Sequence, residues 1–349
     1  MSAVQVLVAM SGGVDSSVAA AVLQQQGHEV VGVTMRLWGG DSDTGCCSVA
    51  DVDDARRVAQ QLGIDHLVFN FTDDFDTHVV QPYVHDHTVG RTPNPCIECN
   101  RHLKFARLLE RADLLGFDAV ATGHHARIVA EGDRFRLARG ADAAKDQSYV
   151  VHMLDQDALR RTRFPVGDRT KADVRALAGA LGLRTADKPD SQDVCFITAK
   201  GRSAFLGARI PLRAATVVQA DGTALGTVDA VELVTIGQRR GVGGIGGGDR
   251  RYVIDVDVPG GRVVVGGPDD LLTTSTAVHG VTATEDAVHG DVLVQVSAHG
   301  AVAPGRLTPA GDGTATLAWA APHRRVAPGQ SVVFYDATDT YVLGGATAS

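Results

Sequence analysis

The run Val4-Gln5-Val6-Leu7-Val8-Ala9-Met10-Ser11-Gly12-Gly13-Val14-Asp15-Ser16-Ser17 decides how this chain is read. Its first half is an apolar stretch of strand length, and it breaks into two glycines just before a helical segment. A buried strand that turns through glycine into a helix gathers backbone N–H groups and a helix N-terminus at one spot. Both the hydrogen bonds and the dipole there favour phosphate oxygens. Gly12 and Gly13 allow close approach of backbone to anion, and Ser11, Ser16 and Ser17 add hydroxyls. No lysine follows the glycines, as it does in the G-x-x-x-x-G-K-S/T loop. Grip on a leaving pyrophosphate therefore fits this loop better than transfer of a terminal phosphoryl group.

Outward from that loop the first third alternates strands and helices. Gly27 closes a helix that starts near Ser16, and residues 28–35 read as a second strand. Asp51 is placed to cap a helix through Leu62, 66–71 read as a third strand, and 118–123 as a fourth. Leu103, Leu108 and Leu115 mark one helix face between them. Strands spaced by helices predict a parallel sheet covered on both faces, with ligands beyond the carboxyl ends of its strands. The loop after Met10, the segment after Met35 and the segment after Gly123 then converge on one crevice.

The texture changes near residue 203. Glycine becomes dense, as in 240–248, and helical periodicity fades; the glycine run reads better as a flexible loop than as a second phosphate site. From about 275 short alternating runs such as 292–296 and 331–335 are punctuated by Pro304-Gly305, Gly311-Asp312-Gly313 and Pro328-Gly329. That pattern predicts a small barrel. The expected units are residues 1–203, 204–274 and 275–349, an α/β parallel-sheet domain, a small glycine-rich and mostly β domain, and a C-terminal β-barrel.

With 349 residues, 44% of them hydrophobic and 21% charged, the chain suits a multidomain globular protein. Neither a signal peptide nor a membrane-spanning run is evident, so a cytoplasmic location is expected. A net charge of −8 argues against indiscriminate nucleic-acid binding. Local basic clusters, at 91–111 and 160–175, leave room for a specific RNA contact. Each cluster equally fits a solvated helix face.

Five cysteines, at 46, 47, 96, 99 and 195, point to thiol chemistry rather than a disulfide framework. Thr92-Pro93-Asn94-Pro95-Cys96-Ile97-Glu98-Cys99 precedes a helix, which sets Cys99 near a helix N-terminus beside Arg101 and Lys104. Such surroundings lower a thiol pKa and make a nucleophile. Cys195 follows Asp190-Ser191-Gln192-Asp193-Val194 at the far end of the first domain. A zinc site would need a second ligand pair, and none stands at suitable spacing. Cys46 and Cys47 suggest no chemical role.

Taken together these motifs resemble the bacterial tRNA-specific 2-thiouridylases of the ATP pyrophosphatase superfamily, over essentially the whole length. The resemblance rests on Ser11-Gly12-Gly13-Val14-Asp15-Ser16, Gly90-Arg91-Thr92-Pro93-Asn94-Pro95 with Cys99-Asn100, and Ala121-Thr122-Gly123-His124. It rests equally on Lys145-Asp146-Gln147-Ser148-Tyr149, on Asp190-Ser191 leading to Cys195-Phe196-Ile197, and on Thr235-Ile236-Gly237-Gln238-Arg239. It implies ATP bound by Ala9, Met10, Ser11, Gly12, Gly13, Val14, Asp15, Ser16, Met35 and Gly123. It implies adenylation of the 2-carbonyl oxygen of a wobble uridine, with Mg²⁺ on the phosphates and Asp15 as a candidate ligand.

Cys195 would accept sulfur as a persulfide, and Cys99 would be the nucleophile. Cys99 then either releases sulfide from that persulfide or closes a Cys99–Cys195 disulfide as sulfur is delivered, and an external thiol resets the site. Asn94, Pro95, Cys96, His124, Lys145, Asp146, Gln147 and Gln330 would contact tRNA, and a cysteine desulfurase or sulfur-relay protein would load Cys195. Three departures stand out. Cys96 occupies a position where some members carry aspartate, which raises an iron–sulfur cluster held with Cys99 and Cys195 as an alternative. His125 stands where tyrosine is common, and an Arg-Tyr-Arg-like element near residue 300 is missing. The rival readings are a small-molecule adenylating enzyme, for which the cysteines and barrel have no purpose, and a non-catalytic RNA-binding or sulfur-relay protein, for which the intact loop has none.

Overall fold

A computed structural model of the chain describes residues 3–38, 49–190, 194–197, 200–242 and 250–349. Its first unit is built on five parallel strands: β1 (Gln5–Ala9), β2 (Glu29–Arg36), β3 (His66–Asn70), β4 (Ala119–Ala121) and, after a hairpin of β5 (Ala126–Glu131) and β6 (Arg134–Arg139), β7 (Thr162–Arg163). The spatial order is β3-β2-β1-β4-β7, and every pairing in it is parallel. The strand order reverses between β1 and β4, which opens a crevice at their carboxyl ends.

The period-2 alternation of β1 feeds two cores. Val6, Val8 and Met10 pack with Val18 and Val22 of helix α1 (Val14–Gln25) and Val58 of helix α2 (Val49–Leu62). Leu7 and Ala9 face Phe71, Phe75, Leu103 and Leu108 on the other side. Helix α1 is apolar nearly all round because it is enclosed: nine of its residues are buried, among them the run Val18 to Leu23. Gly27, with φ +85°, ends it as the sequence implies.

Several local expectations shift. Helix α1 starts at Val14 rather than near Ser16. Helix α2 starts at Val49, so Asp51 lies in its first turn instead of capping it. Leu115 is half exposed, because the helix that carries buried Leu103 and Leu108 ends there at Gly116.

The second unit is a four-stranded sheet of β8 (Ala215–Gln219), β9 (Ala224–Val228), β10 (Tyr252–Asp257) and β11 (Arg262–Gly266), ordered β10-β11-β8-β9. The glycine run lies largely outside the described residues. The third is a closed barrel of β12 (Leu272–Ala283), β13 (Gly290–Gln295), β14 (Ala303–Pro309), β15 (Thr314–Arg324), β16 (Ser331–Tyr335) and β17 (Val342–Ala348), in the order β12-β15-β14-β13-β16-β17. Closure leaves no edge strand to protect. Pro304-Gly305, expected as a turn, is instead inside β14. A Cβ on Gly305 would lie 2.8 Å from Leu317 Cδ1, so glycine there admits the neighbouring strand rather than bending the chain.

The barrel is fastened to the first unit. Val333, Tyr335 and Val342 share an apolar cluster with Ile97, Phe105, Tyr149 and Phe164. Tyr149 Oη donates to Ser331 O at 2.9 Å. Arg139 donates to Asp339, Asp146 and Gln295 and lies 3.9 Å over the Tyr335 ring. The second unit is tied in by His87, whose Nδ1 lies 3.1 Å from Glu232 O.

Candidate active site

A cleft of about 600 Å³ opens at the carboxyl ends of β1 and β4. Its floor is the glycine loop. The N-cap of α1 is Gly13, which has no side chain to cap the first turn, and Gly13 to Ser16 line the cleft. Gly12 has φ +72°, and a Cβ there would stand 2.3 Å from Asp51 O. A Cβ on Gly123 would meet Ser16 N at 2.6 Å. These two glycines let β4 and α2 close onto the loop, and no other residue fits either place. The serines shape the loop from within: Ser11 N donates to Ser16 Oγ at 3.2 Å, and the Ser16 and Ser17 hydroxyls both donate to Gly13 O.

Charge around the loop is paired. Lys171 Nζ stands 2.7 Å from both carboxylate oxygens of Asp15 and 2.9 Å from Asp190. Asp15 also holds His125 Nε2 at 3.1 Å, and Asp190 holds Lys145 at 2.9 Å and Arg175 at 2.8 Å. Burial alone would raise the Asp15 pKa. The hydrogen bonds and charges of His125 and Lys171 outweigh it and hold the carboxyl below its ordinary range. Asp190 is lowered more strongly by Lys145 and Lys171, again against its burial. Lys188 bridges Asp51 and Asp54 at 2.7 and 2.8 Å on the opposite rim.

Of the residues expected at a nucleotide, Ala9, Met10, Ser11, Gly13, Val14, Asp15, Ser16, Met35 and Gly123 line this cleft, and Gly12 supports it from behind. Four of those expected at RNA, His124, Lys145, Asp146 and Gln147, line it too. They differ in exposure. Lys145 is exposed, whereas His124 and Asp146 are buried. His124 Nδ1 lies 2.7 Å from Thr122 Oγ1, and burial lowers its pKa to about 3, so it is a neutral imidazole. Asp146 is consumed by Arg139, Gly140 N and Ser148.

Asn94, Pro95, Cys96 and Gln330 lie outside the cleft. The Asn94 side chain caps the helix that begins at Pro95 by accepting from Cys96 N at 3.1 Å. The Gln330 amide donates to Thr92 O at the seam between barrel and first unit.

The thiols are placed differently from the sequence reading. The helix begins at Pro95, so the thiol in its first turn is that of exposed Cys96, while Cys99 lies further along. Cys99 is only 6% exposed and belongs to the apolar cluster of Tyr83, Leu103 and Phe196. Cys195 is half-buried and packs against the same cluster. Its turn is pinned by Phe196, which meets Phe75, Tyr83 and Phe205 at ring distances of 5.6, 5.4 and 5.1 Å. Cys96, Cys99 and Cys195 are thiols in this structure; Cys46 and Cys47 lie outside the described residues.

Three family profiles match the chain in succession: the tRNA methyl transferase HUP domain over residues 4–199, the tRNA methyl transferase PRC-barrel domain over 203–267, and the aminomethyltransferase beta-barrel domain over 271–348. The chain is 43% identical to the tRNA-specific 2-thiouridylase MnmA of Herpetosiphon aurantiacus over 353 residues, 99% of this chain and 98% of that one. It is 44% identical to the protein of the same name from Chloroflexus aggregans over 350 residues, 97% of each. The chain belongs to the tRNA-specific 2-thiouridylase family. A solved 4-thiouridine synthetase–RNA complex with bound ATP is similar over 55% of this chain and 45% of that chain, at 20% identity and TM-score 0.38.

Membership fits the architecture: a HUP-type parallel sheet, a PRC-barrel unit and a closed six-stranded barrel. The residues that family motifs did not single out are Lys171, Lys188, Asp51 and Lys104, all lining the cleft. Lys171 and Lys104 each sit in a basic run that also reads as a solvated helix face. A signal for Lys171 was nevertheless present, since Thr170-x-x-Asp173 is a capping box that fixes a helix start there. Among the described residues no three His, Cys, Asp or Glu side chains come together as a metal set. The three described cysteines as placed therefore do not fit an iron–sulfur cluster. No helix among the described residues is long and apolar enough to cross a membrane.

Proposed function

We propose that this protein uses ATP to replace the 2-oxygen of the wobble uridine of tRNA by sulfur, in the cytoplasm. The observation that carries the reading is one cleft in which a glycine loop, an uncapped helix start and a rim of lysines converge at the carboxyl ends of β1 and β4. The full-length likeness to 2-thiouridylases supports it. Ala9 to Ser16, with Met35 and Gly123, would hold the nucleotide, its phosphates lying on the loop N–H groups. Asp15 is already paired to Lys171 and His125, so Mg²⁺ would arrive with the triphosphate, its charge spread mainly over phosphate oxygens. When present it neutralises charge on those oxygens.

The chemistry follows from the weakness of a carbonyl oxygen as a leaving group. The uridine O2 attacks the α-phosphorus, the bond to the bridging oxygen breaks, and pyrophosphate leaves. AMP then departs carrying the uridine O2 as the C2–O2 bond breaks and sulfur bonds to C2. Cys195 would carry the sulfur as a persulfide, loaded by a cysteine desulfurase or a sulfur-relay protein. Cys99 would be the nucleophile that liberates it, with a Cys99–Cys195 disulfide as the oxidised product to be reduced by an external thiol. An apolar setting suits this carrier, because it keeps water from the sulfur.

Asn94, Cys96, Lys145 and Gln147 would touch RNA. Pro95, His124, Asp146 and Gln330 would hold them in place, since each is buried or already bonded at a seam. The work would be divided among a catalytic unit at 1–203, a connecting unit at 204–274 and a barrel at 275–349. The test is incubation with ATP, Mg²⁺, a persulfide-generating desulfurase and unmodified tRNA, followed by nucleoside analysis. Appearance of 2-thiouridine is expected; ATP-dependent modification elsewhere, or none, contradicts the proposal.

A further inference from the structure

Lys171 opens the helix Lys171–Ala180, immediately after its Thr170 cap. A cation in the first turn opposes the helix dipole, so helix stability does not explain its place. The side chain is 12% exposed and reaches the cleft, where three carboxylate oxygens surround Nζ within 2.9 Å. A triphosphate seated on the glycine loop would bring several negative charges beside Asp15 and Asp190, and Lys171 stands between them.

We propose that Lys171 exchanges its carboxylate partners for the β- and γ-phosphates and stabilises the pyrophosphate as it leaves. This rests on the function proposed above. The exchange strands no charge. Asp190 keeps Lys145 and Arg175, and Asp15 keeps His125. A lysine is suited to it, being a point charge with three donors on a flexible stem. As the α-phosphorus–oxygen bond breaks, the electron pair passes to the pyrophosphate oxygen. Lys171 hydrogen-bonds that oxygen and keeps its own proton. The two aspartates act as its store, holding the ammonium at the loop until phosphate displaces them.

The test compares wild type, Lys171→Gln and Asp190→Asn in tRNA-dependent pyrophosphate release, together with inhibition by added pyrophosphate and binding of AMP. For Lys171→Gln a fall of about 10²–10³-fold in the release rate is expected. Pyrophosphate inhibition should weaken at least about tenfold, with AMP binding unchanged because AMP lacks the displaced phosphates. Asp190→Asn removes one tether, so pyrophosphate should inhibit more strongly, the opposite direction; a merely structural role would weaken binding in both. Unchanged pyrophosphate inhibition in Lys171→Gln, or weakened inhibition in Asp190→Asn, overturns the inference. If Lys171→Gln fails to fold, the direction in Asp190→Asn decides. Absence of pyrophosphate release by wild type refutes the parent proposal instead.

Discussion

The cleft and the thiol cluster belong to the same parallel-sheet unit, sharing Ala9, Met35 and Leu37 at their border, and are built by opposite means. The cleft is made of backbone: two glycines, an uncapped helix start, and ion pairs that hold Lys171 and Lys188 at its rim. The thiol cluster is made of side-chain packing, with Cys99 and Cys195 set among Phe75, Tyr83, Phe196 and Phe205. Backbone sites are fixed before any ligand arrives. A packed thiol is covered: Cys99 is 6% exposed, so the role proposed for it would require its cover to open. Under the proposed function, activation and sulfur delivery would occupy two differently built settings within one domain.

The sharpest way to break this contrast is to add one methyl group to the cleft. Gly123→Ala forces a Cβ to 2.6 Å from Ser16 N and 2.8 Å from Asp15 C. A loss of about 10²-fold or more in pyrophosphate release is expected, since displacing the loop misplaces the phosphates. Near-normal release would show that the loop adapts and is not preformed.

On the thiol side, Phe196→Ala removes a fully buried ring that anchors the Cys195 turn. It should cost about 3–5 kcal/mol, read as a shift in urea unfolding, and impair sulfur transfer more than pyrophosphate release. Equal impairment of both would merge the two regions.

Buried histidines sharpen the comparison through pH. His87 and His152 are depressed to about 4, chiefly by burial, and His124 to about 3. The unfolded chain binds protons on these groups below about 6.5 and the folded chain does not. Stability therefore levels off above about pH 7 and falls as pH drops from there toward 4, by up to about 1.4 kcal/mol per unit for each histidine. The lowered carboxylates, Asp15 and Asp190, add a loss only below about 3.8. His152 packs against Gly345 of the barrel, so His152→Gln should flatten the slope measured by urea midpoints between pH 5 and 7.5. An unchanged slope would remove the seam from the account.

A smaller effect concerns access. Alkylation with iodoacetamide, followed by peptide mapping, should modify exposed Cys96 before half-buried Cys195, and Cys99 last. Rapid labelling of Cys99 would show that its cover opens without tRNA.

The two regions also differ in how far the sequence shows them. Gly12, Gly13 and Gly123 are visible because only glycine permits such contacts, and the alternation of β1 announces the sheet around them. The ion pairs are not visible, since Asp15, Lys171 and Asp190 meet across 156 and 19 residues of chain. Cys99 lies one turn further into its helix than the sequence implies, because Asn94 with Pro95 starts the helix earlier than the cysteine spacing suggests. Pro304-Gly305 misled for the reverse reason: a glycine that serves close strand packing looks like one that serves a turn. Composition alone could not distinguish these uses.

The central claim, that activation and sulfur transfer are separately housed, is tested most directly by assaying both steps in Cys99→Ser and Cys195→Ser. With ATP, Mg²⁺, a desulfurase and unmodified tRNA, both variants should release a first equivalent of pyrophosphate at close to the wild-type first-turnover rate and form no 2-thiouridine. Loss of pyrophosphate release in either variant, or 2-thiouridine formed by either, would contradict it.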